Sequence, residues 1–379
     1  MKTPLVPPMP HRTLDDYETA TPRPMLESDS NSESVTNRSE IVFVTDAQDC
    51  NPNGDPMGED RPRIDPVTQQ AAITDVRLKR YLRDQLRSDD LPIFVKRTGD
   101  GAEVRAELAL DLFDEVESVD DLDEIDDIET DFLSRATDVR YFGATLSFNA
   151  DSDSELYEAV KERFPSQFTG PVQFSPARSL NAVETSEETS MLTSVIATQD
   201  DNEQGGFGLD DHRIKYGIFP FHGLVDEHGA RDTHLTATDI DRLDTLCWRS
   251  LKNQTISRSK IGQEPRLYVR AEYSTEGYHV GDLHNDVQID REQSETDGEM
   301  RSVRDVCLDV TNLVETLASI AEDGHLETVH ITGSSRLAVS CDGSDIEAAD
   351  EIAGALDNRD VPVDDFDVYE RFDKQRAAE

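Results

Sequence analysis

An α+β fold is what this sequence predicts, on three observations. Apolar residues reach 36% of a 379-residue chain, low but sufficient for a core. They gather into short strand-like runs that lie both before and after amphipathic helical stretches. Long polar insertions separate these runs, and no internal repeat is present.

Residues 1–39 are rich in Pro, Ser, Thr, Asn and Asp and read as a disordered tail. Ile41–Val44 follows as a buried strand. A loop crowded with Asn, Asp, Gly and Pro runs from Thr45 to Ile73, and Thr74 is placed to cap a helix beginning at Asp75. On a helical wheel Leu78, Tyr81, Leu82 and Leu86 share one face, and Lys79, Arg80, Arg83 and Arg87 share the other. The apolar face is expected to pack on a sheet, leaving a basic stripe outside. Residues 101–131 reverse the charge, with fourteen acids and one Arg, and read as an acidic insertion, set at about 99–135. Strand patterns resume at Val139–Phe148, Pro171–Phe174 and Met191–Thr198. Residues 200–211, with Gly205, Gly206 and Gly208, read as a mobile loop. Ile214–Val225 is a strand, and Thr236 or Thr238 caps a helix through Leu251. Arg266–Tyr273 alternates as a strand. Residues 281–300 read as an acidic loop. Val303–Val310, a helix over Thr311–Ala321 and Glu327–Thr332 give a last β-α-β run. An acidic helix over Ser344–Leu356 and a frayed end complete a C-terminal extension, 336–379. Strands flanking helices, with these insertions, argue for a ferredoxin-like sheet over 40–335.

Composition narrows function. Asp plus Glu number 81 against 37 Lys plus Arg, a formal net charge of -44. Such a surface suits a cytoplasm with molar salt, where self-repulsion is screened over roughly 3 Å. No apolar run is long enough to span a membrane, and the N-terminus lacks the core of a signal peptide. The four cysteines are unpaired in spacing, which excludes a zinc ribbon or C-x-x-C redox motif. The nine histidines include no helical metal pair, and no P-loop, G-x-S-x-G or dinucleotide fingerprint occurs. No cofactor and no metal site is expected.

Against this acidity, two basic islands stand out. Arg61 to Arg87 holds seven basic and three acidic residues: Arg61, Arg63, Arg77, Lys79, Arg80, Arg83 and Arg87 against Asp65, Asp75 and Asp84. From Trp248 to Ala271 the one acid is Glu264, among Arg249, Lys252, Arg258, Lys260, Arg266 and Arg270. Ser257, Arg258, Ser259 and Lys260 mix hydroxyls with cations, as phosphate-contacting loops do. Asn51, Asn53, Arg61 and Arg63 line a rigid loop suited to sugar-phosphate contacts. A weaker third element holds Arg178 and Ser179. Phe207, Tyr216 and Phe221 are candidates for base stacking, with core packing the commoner fate of strand aromatics. The segment Asp49–Asp60 also matches the start of an EF-hand loop, although a strand precedes it and Pro52 and Pro56 fit it poorly.

The motifs NPNGDP (51–56), RPRIDP (61–66) and TDVRLKRYLRD (74–84) resemble the opening of the type I-B CRISPR-associated Cascade backbone protein, the Cas-seven (Csh-two) family. VRYFGA, TGPVQF followed by RSL, IKYGIFPFHGLV, LTATDIDRLDTLCW, SRSKIGQEPRLYVRAEY and GYHVGDL follow in order, so the resemblance spans about 40–335. It departs at Gln69-Gln70, where relatives are expected to carry a Thr-Gly turn. The resemblance implies an RRM-like palm with finger and thumb insertions. It implies a non-catalytic subunit that polymerises along a CRISPR RNA, meeting target DNA by guide pairing and other copies and Cascade subunits by contact. The enzymatic alternative, implied by type III relatives, is a metal-dependent endoribonuclease using Asp46, Asp49 or Asp55. A calcium module through Asp49–Asp60 is a third reading.

Overall fold

Strand β1, Ser39–Cys50, is the axis of the molecule. Its Ile-Val-Phe-Val run is buried on both sides: Ile41 and Phe43 enter one apolar cluster, Val42 and Val44 another. A strand sheathed on both faces favours a continuous apolar run over alternation. The computed structural model describes residues 34–95, 112, 113, 116, 118–146, 155–186, 190–193, 207–210, 212–255, 257, 259–342 and 346–378.

Helix α1 (Asp75–Ser88) follows β1, and the Thr74 side chain accepts from the Arg77 amide as foreseen. Strands β2 (Val172–Phe174) and β3 (Arg213–Val225) come next, then helix α2 (Ala237–Lys252), capped by Thr236, and strand β4 (Gln263–Tyr273). β1 pairs antiparallel with β3 on one side and β4 on the other, and β2 pairs with the far edge of β3. The chain order β-α-β-β-α-β thus yields a sheet order β4-β1-β3-β2, with α1 and α2 packed together over Ile41 and Phe43. Helix α3 (Thr311–Glu322) covers the opposite face through Leu313, Val314 and Leu317. Strand β5 (Leu326–Gly333) extends the sheet antiparallel beside β4, and β6 (Val363–Asp365) adds a parallel edge. The architecture is a mixed α/β one with a mixed sheet.

Several expectations are corrected. Residues 34–39 belong to the fold: Ser39 opens β1 and Val35 is buried, while 1–33 lie outside the described residues. Val139–Phe148 is not one strand: Thr137–Phe142 is helical and a short strand, Gly143–Thr145, follows. Gly143, at φ 67°, makes the break, and an added Cβ there would lie 2.2 Å from the Phe168 carbonyl. Gly170 faces it, its own Cβ position 2.1 Å from the Phe142 carbonyl carbon. The glycines of VRYFGA and TGPVQF are therefore one close backbone contact. The acidic stretch, where described, is helical (Val119–Asp123, Ile128–Arg135) and packs a core of its own from Phe94, Phe132, Val160, Phe164 and Phe168. Within 200–211, Phe207–Asp210 pairs with Ser190–Thr193; 200–206 and 211 lie outside the described residues, as do 194–198 of the expected 191–198 strand. Val303–Val310 splits into a 3-10 turn and a short strand at Cys307–Asp309. The helix expected over Ser344–Leu356 is confined to Ile352–Asp357 after a 3-10 turn. The end expected to fray forms helix α4 (Val368–Ala378) on α2, where Phe372 lies 3.4 Å from the Arg249 guanidinium.

Charge is buried in pairs. Arg270 and Asp244, both buried, meet at 2.7 and 2.9 Å. Glu40, fully buried, accepts from Tyr273, His222 and the amides of Val280, Gly281 and Leu283. Burial alone would raise its pKa, but His222 and those donors bring it down to about 2.

Candidate nucleic-acid interface

The two basic islands converge at one end of the sheet, where β1 runs out and β4 begins. The Gln48 amide donates to the Gly262 carbonyl at 2.8 Å, and the Asn51 amide to the Ser259 carbonyl at 2.9 Å. Gly262 has φ 114°, and a Cβ would fall 2.2 Å from the Gln48 carbonyl oxygen, so the close stitch requires glycine. From the other side the Lys260 ammonium donates to the Asn51 carbonyl at 2.6 Å. Gln263 braces both loops: its amide donates to the Lys260 carbonyl at 3.1 Å and to the Tyr81 hydroxyl at 3.2 Å. Tyr81 in turn donates to the Pro52 carbonyl at 3.2 Å.

Beyond Asn51 the chain forms a ribbon in which Gly54–Asp55 pairs with Arg61–Pro62. Asn53 ties the ribbon to α1, its Oδ1 accepting from both the amide and the hydroxyl of Thr74 at 2.8 Å. Arg77, in the first turn of that helix, acts electrostatically on Lys260. Arg77 lies over the Tyr81 ring at 5.9 Å and has no side-chain hydrogen bond or ion pair among the described residues. Lys260 is half-buried; burial first, then the charge of Arg77, lower its pKa to about 8. Two cations placed together without an ion-paired carboxylate, in a chain of net charge -44, are what an anion would fill.

The basic stripe of α1 is corrected. Arg83 pairs with the buried Asp138 at 2.9 Å, Arg80 with Asp84 at 2.8 Å, and Lys79 with Asp75 at 3.6 Å and Gln173 at 2.5 Å. Burial lowers the Lys79 pKa, with the Arg83 charge adding to it. Of the stripe, Arg87 is exposed. Asn51 and Asn53 are corrected likewise: both side chains are buried, and the Asn51 amide donates to the Asp60 carbonyl at 2.5 Å. They build the loop instead of facing outward. Arg61 is exposed beside Glu59, and Arg63 pairs with Asp55 at 3.2 Å.

Arg178 is exposed, 3.6 Å from Asp65, but Ser179 is fully buried, accepting from the Ala71 amide and donating to the Asn181 carbonyl. Arg258 lies outside the described residues. Ser259 contributes its carbonyl to Asn51 and has its hydroxyl 3.4 Å from that of Ser257. Three arginines of the second island fold inward, Arg249 onto Asp89, Arg266 onto Asp46 and Arg270 onto Asp244, while Lys252 stays exposed and pairs with Glu264. Tyr216 and Phe221 are buried and do not stack bases from here, Phe221 lying on Phe43. Phe207 opens the strand Phe207–Asp210.

The EF-hand likeness fails on backbone grounds. β1 stands where the first helix is required, and Asn51 and Asn53 turn into the loop's own hydrogen bonds. Of the aspartates considered for catalysis, Asp46 is buried against Arg266 and Tyr216, burial raising its pKa to about 6 despite the arginine. Asp55 holds Arg63, while Asp49 is exposed at φ 47°. Sequence reading missed Gln263 and Tyr81. Nothing in local pattern marks a strand-opening glutamine as the brace between two loops.

Fold and site together define an α/β sheet protein with a loop-built cationic end. The family model for CRISPR-associated protein Cas7 matches residues 37–311. The chain is 53% identical over 340 residues to a CRISPR-associated protein Cas7 of Haloferax volcanii, covering 89% of this chain and 98% of that relative. This chain belongs to the Cas7 family of CRISPR-associated proteins. Among solved structures it is similar to a chain of a CRISPR RNA-guided surveillance complex in a pre-nicking state (TM-score 0.46, 14% identity). A second similar chain comes from a CRISPR RNA-guided surveillance complex (TM-score 0.44, 12% identity). Each comparison covers 90% of this chain and 100% of the other.

Proposed function

We propose that this protein is a non-catalytic, CRISPR RNA-binding backbone subunit of a type I-B Cascade surveillance complex. It polymerises along the guide, meets target DNA through guide pairing, and contacts further copies and other Cascade subunits. The observation that carries this reading is the meeting of Arg77 and Lys260 beside the N-terminus of α1, in a member of the Cas7 family. Arg77 and Lys260 hold phosphate directly; Arg61, Arg63, Arg178 and Ser259 extend the track. Lys79, Arg80 and Arg83 support it through the fold, and Arg258 is kept as an RNA contact on the strength of the sequence alone. Asn51, Asn53 and Ser179 act by setting the loops that present these groups. In molar salt, counterion release gives little, so amides and fixed hydrogen bonds carry more of the affinity than ion pairing.

The β-α-β-β-α-β order with sheet order β4-β1-β3-β2 supports reading the core over 40–335 as a ferredoxin-like palm. The lobe around Phe132 and the 190–210 hairpin are then inserted finger and thumb elements, and 336–379 a C-terminal extension. The acid-rich composition and the Haloferax volcanii relative support a halophilic archaeal source and a cytoplasmic setting. No helix among the described residues is long and apolar enough to cross a membrane.

Purification in molar KCl from cells expressing CRISPR RNA tests the proposal. RNA of uniform length with repeat-derived ends is expected to co-purify, and to be lost with Arg77→Glu and Lys260→Glu combined while cooperative melting persists. RNA-free wild-type monomer from such cells refutes it.

A further inference from the structure

We propose that Lys260 is a phosphate ligand that takes up a proton as RNA arrives, so that affinity at this site falls as the solution becomes alkaline. This rests on the guide-binding reading above.

The placement is unusual for a lysine on so acidic a protein. Its ammonium is half-buried, donates to the Asn51 carbonyl at 2.6 Å, and makes no ion pair among the described residues. The groups that face it come from three elements, α1, β1 and the ribbon. Arg77 on α1 repels its charge, and Asp60 of the ribbon attracts it more weakly. Cys50, at the end of β1, is held neutral, burial pushing its thiol up to about 12. Tyr81, behind Gln263, is likewise pushed up by burial to about 12 and stays a neutral hydroxyl. With no anion present, burial first and Arg77 second make the charged ammonium costly, holding Lys260 at about 8.

A phosphodiester between Arg77 and Lys260 offsets both effects. Its charge offsets the guanidinium and gives the ammonium a hydrogen-bond acceptor, which draws the lysine back toward its ordinary value of about 10.4. The phosphodiester has no proton to give near neutral pH, so the proton comes from buffer onto the Nζ lone pair, and no other bond changes. The bound state holds more protons than the free state above about pH 8, so affinity drops with rising pH, by at most about tenfold per pH unit for one proton.

The test measures binding in molar KCl by fluorescence anisotropy from about pH 7.5 to about pH 9.5, using an RNA of adenine and cytosine only, whose bases keep their protons over this range. The full-length protein is stripped of nucleic acid beforehand. Wild type is expected to weaken roughly tenfold or more across that span. Lys260→Arg, whose guanidinium stays protonated, is expected to bind at the lower pH and to lose most of that dependence. Titration calorimetry on wild type in two buffers of different ionisation enthalpy is expected to report uptake approaching one proton near pH 8.5. This readout does not depend on how the variant folds. RNA binding that is pH-independent, with no proton uptake, overturns the inference and leaves the guide-binding reading standing. No RNA bound at any pH overturns both.

Discussion

Replacing Arg83 by alanine is expected to strike at the fold, and replacing Arg77 six residues earlier is expected to strike at the proposed guide contact. The Arg83 guanidinium meets Asp138 at 2.9 Å and lies 5.2 Å over the Phe142 ring. Asp138 is fully buried and also accepts from the amides of Phe94 and Val95, at 2.7 and 3.1 Å. Removing the arginine leaves a buried carboxylate with two amides and no counter-charge. Breaking a buried pair in this way costs about 3–5 kcal/mol, and the two remaining amides place the loss near the lower bound, about 3 kcal/mol. With an unfolding entropy of about 2.1 cal/mol/K per residue, a 379-residue chain unfolding as one unit loses about 4 °C in Tm. Arg77 stacks on Tyr81 and pairs with no described residue, so Arg77→Ala shifts stability by about 0.5 kcal/mol or less. A lost charge-assisted bond to phosphate is worth about 1.5–3 kcal/mol, a loss of roughly tenfold to a hundredfold in RNA affinity. Differential scanning fluorimetry and anisotropy, both in molar KCl, separate the two. If Arg83→Ala abolishes RNA binding at unchanged Tm while Arg77→Ala binds normally, the assignment of the two arginines is wrong.

Two further outcomes follow from the same geometry. Glu40 has its folded pKa lowered to about 2 from an ordinary value of 4.5. Its stabilising contribution, about 3 kcal/mol, is therefore complete above about pH 4.5 and lost as pH falls toward 2; Glu40→Gln is expected to flatten that part of the Tm-against-pH curve, and an unaltered curve counts against the assigned role. Gly143→Ala forces a Cβ to 2.2 Å from the Phe168 carbonyl and 2.4 Å from the Gly170 amide nitrogen at a positive φ. A loss of more than about 3 kcal/mol is expected, and limited proteolysis should cut first within 143–170; wild-type resistance contradicts the contact.

Part of the site was legible and part was not, and the division is physical. Thr74 and the apolar stripe Leu78, Tyr81, Leu82, Leu86 are local signals, and the helix formed where they placed it. The two basic islands were legible because an acidic chain makes any cluster of cations conspicuous; that they meet at one end of the sheet, through the stitch of Asn51 to Ser259 and Lys260, was not. The partner of each cation was not. Arg83 is answered by Asp138, Arg249 by Asp89, and Arg270 by Asp244, all distant or on other elements. Where carboxylates are abundant, an arginine turned inward readily finds one, and charge counts along the chain cannot separate that arginine from one left for a ligand. Asn51, Asn53 and Ser179 were misread because a side chain that shapes a loop and one that such a loop presents are the same residue types. At Gln69 the departure from the expected Thr-Gly turn does have a visible counterpart: its φ is 56°, the backbone that glycine adopts without strain.

The contact between Gly143 and Gly170 has a consequence for a protein suited to concentrated brine. Ionic strength tunes the grip between charged side chains, and most of all those at the surface. The hinge line between the acidic lobe and the sheet instead has main chain against main chain at its centre, and dissolved salt has little purchase on such a seam. The set of the lobe relative to the sheet should therefore hold constant as a cell's salinity rises and falls, even while the ion pairs around it loosen and tighten.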